Sequence, residues 1–391
     1  MIIQREFWKN RIEQAWKKKT IIWLMGVRRI GKTSLCKSLE NVEYFDCETA
    51  RVRSLLVDYE LFLEQQKGKR IILDEIHMLP NPSEILKVAA DHYPDVKIIA
   101  TGSSTLGASA KFKDSLTGRK KEIWLTPMLL QESELFGNID IGHRFLFGGF
   151  PSIFIEEHYP EDSFKEWINA YWAKDVQELF VVAKRHSFIK FTELLLVNSG
   201  GMFEASKFTV PCEVGREAIM NYLQILEETF VIHVIRPYSS HKTVEIVKAP
   251  KIYGFDTGFV CYAKGRNVLR PEDYGFMWEH FVLNEMQGVL QTRSSIKYWR
   301  DKRGYEMDFV IEHRGYQEIT AIECKFSILQ DVNIIEIGKN FQAFREFYPE
   351  GENIVVVYSI AHSFVRTYKD IEIHFMNLED MMVKCKTFKL F

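Results

Sequence analysis

Apolar runs of strand length alternate with helical stretches through the first third of the chain. Ile21 to Met25, in TIIWLMGVRRIGKT, is such a run, and SLCKSLE after the loop has helical character. VEYFDCE (42–48) reads as a second strand, YELFLEQQ (59–66) as a helix and RIILDEI (70–76) as a third strand. A helix near 83–92, the strand VKIIATGSS (96–104) and EIWLTP (122–127) continue the series. Strands alternating with helices predict an α/β domain around a mostly parallel sheet. A leading helix over 1–19 ends in Lys17-Lys18-Lys19, basic residues that suit a helix C-terminus.

The pattern turns helical from 128 to about 185, where GGFP (148–151) is a breaker and DSFKEWINAYWAKDVQELF a long aromatic-rich helix. Its aromatics at helical spacing read as core. In GREAIMNYLQILEETF, Ile219, Tyr222, Leu223 and Leu226 form one apolar stripe. FVIHVIRP and VEIVKAPKIYGFD then predict a β-hairpin, and helices with such a hairpin are winged-helix-like. The exposed face of that last helix carries Arg216, Glu217, Asn221, Gln224, Glu227 and Glu228, too acidic for a phosphate-lined groove. A structural or protein-contact role is expected there. Beyond residue 262 the order is helix (276–292), three strands (IKYWRD, YEMDFVIE, YQEITAIECKF), a helix around 338–347 and the strand NIVVVYS (353–359).

Length and composition narrow the class. At 391 residues the chain calls for two to four domains of about 150 residues each. Apolar content of 46%, charged content of 27% and a net charge of −2 suit a globular protein without a global basic field. Six scattered cysteines with no CxxC pair read as reduced thiols rather than disulfides or a zinc site. The N-terminus lacks an apolar secretion core, and no run approaches a membrane span. A cytoplasmic protein with no membrane contact is expected.

The loop after the first strand carries the chemistry. Gly26 to Thr33 is GxxxxGK[ST] between a strand and a helix, the arrangement that wraps backbone N–H groups around phosphates. Gly26, Gly31, Lys32, Thr33 and Ser34 would bind ATP, with Lys32 on the β- and γ-phosphates and the Thr33 hydroxyl on Mg²⁺. RIILDEI ends in Asp74-Glu75: Asp74 would hold the Mg²⁺ shell and Glu75 polarise the attacking water. Ser103, leaving the strand VKIIA, is either a γ-phosphate sensor or part of a Gly-Ser turn. Arg119, in SLTGRKKE, is either an arginine finger for a neighbouring copy or a solvated loop charge.

A second constellation lies in the last third. In the helix 276–292, Val282, Leu283, Met286 and Leu290 form an inward stripe on which Glu279 falls. In the second strand Tyr305, Met307, Phe309 and Ile311 alternate to one face, which leaves Glu306 and Asp308 on the other. Glu323 and Lys325 share a face of the third strand. Two carboxylates about 4 Å apart repel by roughly 4 kcal/mol at an effective dielectric of ~20. Convergent acids would therefore need a divalent cation or a raised pKa. Glu279, Asp308 and Glu323 would hold Mg²⁺ or Mn²⁺, and Lys325 would orient the attacking water. Exposed strand charges paired with Lys or Arg are the alternative.

GVRRIGKT, IILDEIH, ATGSS, SLTGR, GGFP, KIYGFDTG, WRDKRGYEMDFVIE and IECK together resemble the bacterial and archaeal AAA-type P-loop ATPases that carry a C-terminal domain of unknown function. The resemblance covers nearly the whole length. It implies an ASCE-type sheet with an extra strand between those ending in the P-loop and in Asp74-Glu75. It also implies a winged-helix-like middle and a C-terminal part similar to the PD-(D/E)xK restriction-endonuclease-like fold, onto which Asp308, Glu323 and Lys325 map with Glu279 as the helix acid. No proline precedes Asp308, a departure from that motif.

The expected division is an ATPase domain at 1–128, a helical lid at 129–187, a winged-helix-like domain at 188–261 and a nuclease-like domain at 262–391. The expected function is ATP hydrolysis coupled to a nuclease-like domain acting on DNA, with ATP, DNA and further copies of the chain as the expected partners. The alternative is a signalling or scaffold ATPase whose nuclease-like domain is silent and only binds.

Overall fold

The computed structural model describes residues 3–102, 114, 116–177, 182, 184–239, 249–313, 318–326 and 334–388. The chain divides into two compact units interleaved in sequence. The first comprises 1–139, 150–185 and 224–231, and the second comprises 140–149, 186–223 and 232–391.

The first unit is built on a five-stranded parallel sheet. Its strands are β1 (Ile21–Met25), β2 (Glu43–Asp46), β3 (Arg70–Asp74), β4 (Lys97–Thr101) and β5 (Lys120–Trp124), in the order β2-β3-β4-β1-β5. β4 is the strand inserted between β1 and β3, where the family resemblance places one. Continuous apolar runs such as IIWLM and IIL suit strands covered on both faces. Ile21, Trp23, Ile71, Leu73, Ile98 and Ala100 enter one core with Ile85, Leu86 and Ala89 of the helix Pro82–His92. The leading helix Glu6–Trp16 buries Trp8, Ile12, Ala15 and Trp16, one stripe at helical spacing. Arg5, just before it, forms a buried ion pair with Glu132 at 2.7 Å. Arg5 also donates to the Ile30 carbonyl at 3.2 Å, bracing the phosphate loop.

The aromatic-rich segment of this unit forms the helix Glu161–Tyr171 and continues as a π-helical turn, Trp172–Val176. Phe164, Trp167 and Tyr171 are buried, as the sequence predicts, and Trp167 stacks on Tyr171 at 5.4 Å.

The second unit holds two sheets. The strands β6 (Gly201–Met202), β7 (Ile232–Ile235) and β8 (Lys251–Gly254) form an antiparallel sheet ordered β6-β8-β7, accompanied by helices such as Arg185–Val197 and Ser206–Cys212. The helix Arg216–Glu228, which runs across the division between the units, buries Ile219, Tyr222, Leu223 and Leu226. Two of the motifs behind the family resemblance meet here. The Asp256 carboxylate accepts from Gly149 N at 2.6 Å and Gly258 N at 2.9 Å. A Cβ on Gly148 would lie 2.0 Å from Asp256 Oδ1, and one on Gly258 would lie 2.6 Å from Gly148 N. The glycines of GGFP and FDTG are thus a packing requirement of the fold.

The larger sheet is mixed. Its strands are β9 (Ile296–Arg300), β10 (Glu306–Glu312), β11 (Ile319–Lys325), β12 (Asn353–Val357), β13 (Phe364–Tyr368) and β14 (Ile371–Met376), ordered β13-β14-β12-β11-β10-β9. β9, β10 and β11 pair antiparallel, β11–β12 and β12–β14 pair parallel, and β13–β14 pair antiparallel. The helix Ile334–Arg345 packs Ile337, Phe341 and Phe344 with Met307, Val310, Ala321 and Val355. The sequence pattern does not show β13, β14 or the final helix Leu378–Cys385. β13, at the sheet edge, and β14 beside it are partly exposed strands without an unbroken apolar run.

Two expectations about this unit are corrected. The helix Pro271–Leu290 has no single inward stripe: Met277, Trp278 and His280 to Val289 are all buried, while Glu279 is only half-buried. The period-2 reading of β10 also fails. Pairing shifts from Met307↔Trp299 to Val310↔Lys297, so Asp308 and Phe309 together face one residue of β9. That bulge puts Met307 and Val310 in the same core cluster.

Candidate functional site

In the first unit, β1 ends at Gly26, whose φ is 147°. A Cβ there would lie 2.5 Å from the Leu125 carbonyl oxygen, so only glycine lets the chain turn into the phosphate loop. Gly31 takes φ 100° and opens the short helix Lys32–Lys37. Lys32 Nζ donates to the Gly26 and Val27 carbonyls at 2.9 and 3.1 Å. Burial lowers its pKa, against the opposing pull of Glu75, Asp175 and Asp74.

Asp74 at the end of β3 is the hub. Its Oδ2 accepts from the Thr33 hydroxyl at 2.8 Å and from the Tyr44 hydroxyl, and its Oδ1 accepts from the Thr101 hydroxyl. Thr101 Oγ1 in turn accepts from Glu75 N at 3.1 Å. Glu75 occupies the left-handed region at φ 52°, an uncommon conformation for a non-glycine residue that clusters at functional sites. Burial raises the Glu75 pKa, but the His77 hydrogen bond and the Lys32 charge outweigh it and hold the group below the usual carboxylate range. The carboxylate is therefore ionised at neutral pH.

The phosphate loop and Glu75 line a cleft of about 640 Å³, large enough for a nucleotide. Gly26, Gly31, Lys32, Thr33, Ser34 and Glu75 line it as expected. Arg28, His77, Lys174 and Asp175 also line it, and the sequence reading did not single them out. The π-helical turn delivers Asp175, whose Oδ2 accepts from Arg28 Nε at 2.7 Å. Trp167 Nε1 donates to the Arg28 carbonyl at 2.9 Å, and Arg29 pairs with Glu166 at 2.7 Å. Three contacts thus tie the phosphate loop to one helix. Burial raises the Asp175 pKa against the pull of Arg28 and Lys32.

Thr101 and Tyr44, two further direct partners of Asp74, are not among the expected site residues, although Thr101 opens the stretch in which a γ-phosphate sensor is expected. Thr101 sits at the end of β4, two residues before the expected sensor Ser103, which lies outside the described residues. Arg119 is not among the residues that line the cleft; both its Nε and Nη2 donate to Asp91, at 2.7 and 3.0 Å.

The residues fit Mg²⁺ and ATP. The glycines allow close approach of the backbone, and the paired oxygens of Thr33 and Asp74 are hard ligands of the kind Mg²⁺ takes.

The C-terminal constellation is arranged otherwise. Lys251, on β8, lies between acids: its Nζ is 3.6 Å from Glu279 Oε1 and also contacts Glu306 Oε1. The Tyr253 hydroxyl donates to Glu279, and Asp308 Oδ2 accepts from Cys324 N at 2.7 Å. Burial raises Asp308 well above the usual carboxylate range; Glu279 and Glu323 add to this, while Lys251 and Lys325 oppose it. Glu323 accepts from Asn340 Nδ2 at 2.7 Å and pairs with Lys325 Nζ at 3.1 Å. Among the described residues no three His, Cys, Asp or Glu side chains are placed to hold a metal ion. The expected Glu279–Asp308–Glu323 ligand set is therefore not assembled. Cations already occupy the neighbourhood: Lys251 lies against Glu279 and Glu306, and Lys325 against Glu323. The basic residues around the β9–β10 turn are engaged as well: Arg303 pairs with Asp301 and Glu346, and Arg300 lies 3.7 Å from Glu306.

Comparison with known proteins agrees with the first unit's geometry. Residues 18–134 match the model of an AAA domain, 139–270 match a domain of unknown function (DUF8612) and 274–377 match another (DUF4143). An uncharacterized protein of Mycobacterium tuberculosis is 24% identical over 327 residues, covering 81% of this chain and 73% of its own length. An uncharacterized protein of Haemophilus influenzae is 22% identical over 402 residues, covering 92% of this chain and 98% of its own. Among solved structures, a Walker-type ATPase of Pyrococcus abyssi aligns with TM-score 0.44 and 16% identity, over 67% of this chain and 96% of its own. Thermotoga maritima RuvB aligns with TM-score 0.32 and 13% identity, over 59% and 89%. Among the described residues no helix is long and apolar enough to cross a membrane. The chain carries an AAA-type P-loop ATPase domain followed by two domains of unknown function.

Proposed function

We propose that the chain is an ATP-hydrolysing switch whose C-terminal domain, nuclease-like in fold, binds a partner and does not cut DNA. The observation that carries the ATPase reading is the Asp74 hub, joined to Thr33 on one oxygen and to Thr101 on the other, with Glu75 next in sequence. Lys32 would meet the β- and γ-phosphates, and the loop N–H groups would hold the remaining phosphate oxygens. Mg²⁺, held by Thr33 and Asp74, would neutralise charge on the phosphates. Glu75 would accept a hydrogen bond from the attacking water and take its proton as the bond to phosphorus forms; ADP leaves with the electron pair of the broken bond.

Binding without cleavage is favoured because Lys251 contacts Glu279, one of the three acids expected to share a metal, and Lys325 contacts Glu323, another of them. The further readings belong to the same proposal: the division at 128, 187 and 261, a winged-helix-like middle, a cytoplasmic location and possible self-association. Two assays test it together. ATP turnover should require Mg²⁺, and duplex DNA incubated with Mg²⁺ or Mn²⁺, with or without ATP, should stay intact. Cleavage by the wild type that is lost in Asp308→Ala would reinstate the nuclease reading.

A further inference from the structure

The groups that gather around Lys251 pose a question of charge. Its side chain is 8% exposed, and it lies on the central strand of the β6-β8-β7 sheet, in register with Ile235 on β7 and Met202 on β6. The backbone therefore fixes where the ammonium goes. Nζ reaches Glu279 at 3.6 Å, contacts Glu306, and lies 5.6 Å from the centre of the Tyr298 ring. Tyr253, two residues on along the strand, donates to the same Glu279. One cation, one hydroxyl and one aromatic face thus surround acids that come from a helix and from β10.

We propose that the Lys251 ammonium is the resident cation of the Glu279–Glu306 pair, with Asp308 nearby on β10, and that it keeps a divalent ion out of these acids. Burial alone would favour a neutral amine. The neighbouring Glu279, Asp308 and Glu306 reverse this and hold the group above the ordinary lysine value, so it stays charged at any physiological pH. A divalent ion entering beside it would meet strong like-charge repulsion at short range. A lysine cannot activate water as a metal does, so the cluster is a charge-neutralised joint between β8, the helix Pro271–Leu290 and β10. The inference rests on the reading of this domain as nuclease-like but silent. The two fail separately, because DNA cleavage tests that reading while metal binding tests Lys251.

The experiment is Mn²⁺ titration of the full chain without nucleotide, followed by electron paramagnetic resonance. Wild type and Asp308→Asn should bind Mn²⁺ alike. Lys251→Met should gain one site at least about tenfold tighter than anything in the wild type, since a repelling charge is gone and the acids remain. Lys251→Met with Asp308→Asn should lose that site, and Lys251→Arg should match the wild type. A wild-type Mn²⁺ site that disappears in Asp308→Asn would overturn the proposal, as would a folded Lys251→Met that gains none. If Lys251→Met does not fold alone, Mn²⁺ should restore its cooperative melting where Na⁺ at equal ionic strength does not. Failure of Mn²⁺ to restore it would also overturn the proposal.

Discussion

Two lysines, one in each unit, lie beside buried acids and are used in opposite ways. Lys32 donates to the carbonyls of Gly26 and Val27, neutral acceptors, with the Asp74 and Glu75 carboxylates near enough to be felt as charge. Lys251 is in direct contact with the carboxylates themselves. Burial wins over attraction at Lys32, whose pKa falls, whereas attraction wins over burial at Lys251, whose pKa rises. A cation held by carbonyls keeps its charge available to an incoming phosphate; one held by carboxylates has its charge already neutralised. Sequence motifs report which charged residues are present, and this comparison shows that their function depends on what partners the fold gives them.

The largest effects should appear where charge is left available. Lys32→Ala should reduce ATP turnover to background while leaving the melting temperature nearly unchanged, because a charge disfavoured by burial contributes no stability. Glu75→Gln should retain ATP binding but lose turnover by about 10²–10⁴-fold, the range for removing a general base. Nucleotide affinity and phosphate release, measured on the same preparations, separate the two. Wild-type turnover in Glu75→Gln would remove Glu75 from the mechanism.

The buried Arg5–Glu132 pair should show the reverse profile, stability lost without any chemical role. Arg5→Ala leaves the Glu132 carboxylate buried without its guanidinium, at a cost of about 3–5 kcal/mol. Urea unfolding measures that loss. The residual folded protein should still bind nucleotide, more weakly, since the Ile30 carbonyl loses its donor as well.

Arg28–Asp175 lies between these extremes, because Arg28 reaches solvent and its partner does not. Arg28→Ala should cost roughly 1–3 kcal/mol at neutral pH, less than a fully buried pair. Its pH dependence has a definite sign. The folded-state pKa of Asp175 is already raised, and loss of Arg28 raises it further. Such a group binds its proton more tightly when folded, so stability falls as pH rises from the unfolded value through the folded one. The variant should therefore be closest to wild type in mild acid and furthest from it at neutral pH. An equal deficit at every pH would mean that Asp175 does not titrate in the cleft.

How much of this was legible in the sequence depended on distance along the chain. Gly26 to Thr33 and Asp74-Glu75 are local signals, each an apolar strand running into its turn, and the structure brings Thr33 and Asp74 to 2.8 Å. Asp175 was hidden in a helix whose aromatics read correctly as core, because a π-helical turn re-aims one residue without changing composition. Lys251 was invisible for another reason: it belongs to the hairpin segment, and nothing in VEIVKAPKIYGFD announces that it will meet acids far downstream. The β10 bulge left only a faint mark: the alternation of Tyr305 to Phe309 gives way to the apolar run Phe309-Val310-Ile311, which by itself reads as a strand covered on both faces. Buried contacts between distant segments are tertiary facts, and periodicity carries only the local ones.

The smallest effect is expected at Arg119, whose sequence admitted either a finger for a neighbouring copy or a solvated loop charge. The side chain is exposed and donates through two nitrogens to Asp91 of the same unit, an acid that is also at the surface. A finger must exchange that partner for phosphate oxygens of a neighbour, so it would have to break a two-point contact first. Exposed ion pairs of this kind contribute little to stability. Arg119→Ala should therefore melt within error of the wild type and hydrolyse ATP at the same rate, and specific activity should not depend on protein concentration. A finger would instead contribute about 10³–10⁵ in turnover. A loss of that size in Arg119→Ala, together with activity that rises on concentrating the wild type, would show that Arg119 exchanges Asp91 for a neighbour's nucleotide. The Lys32 cleft would then be one half of a shared site.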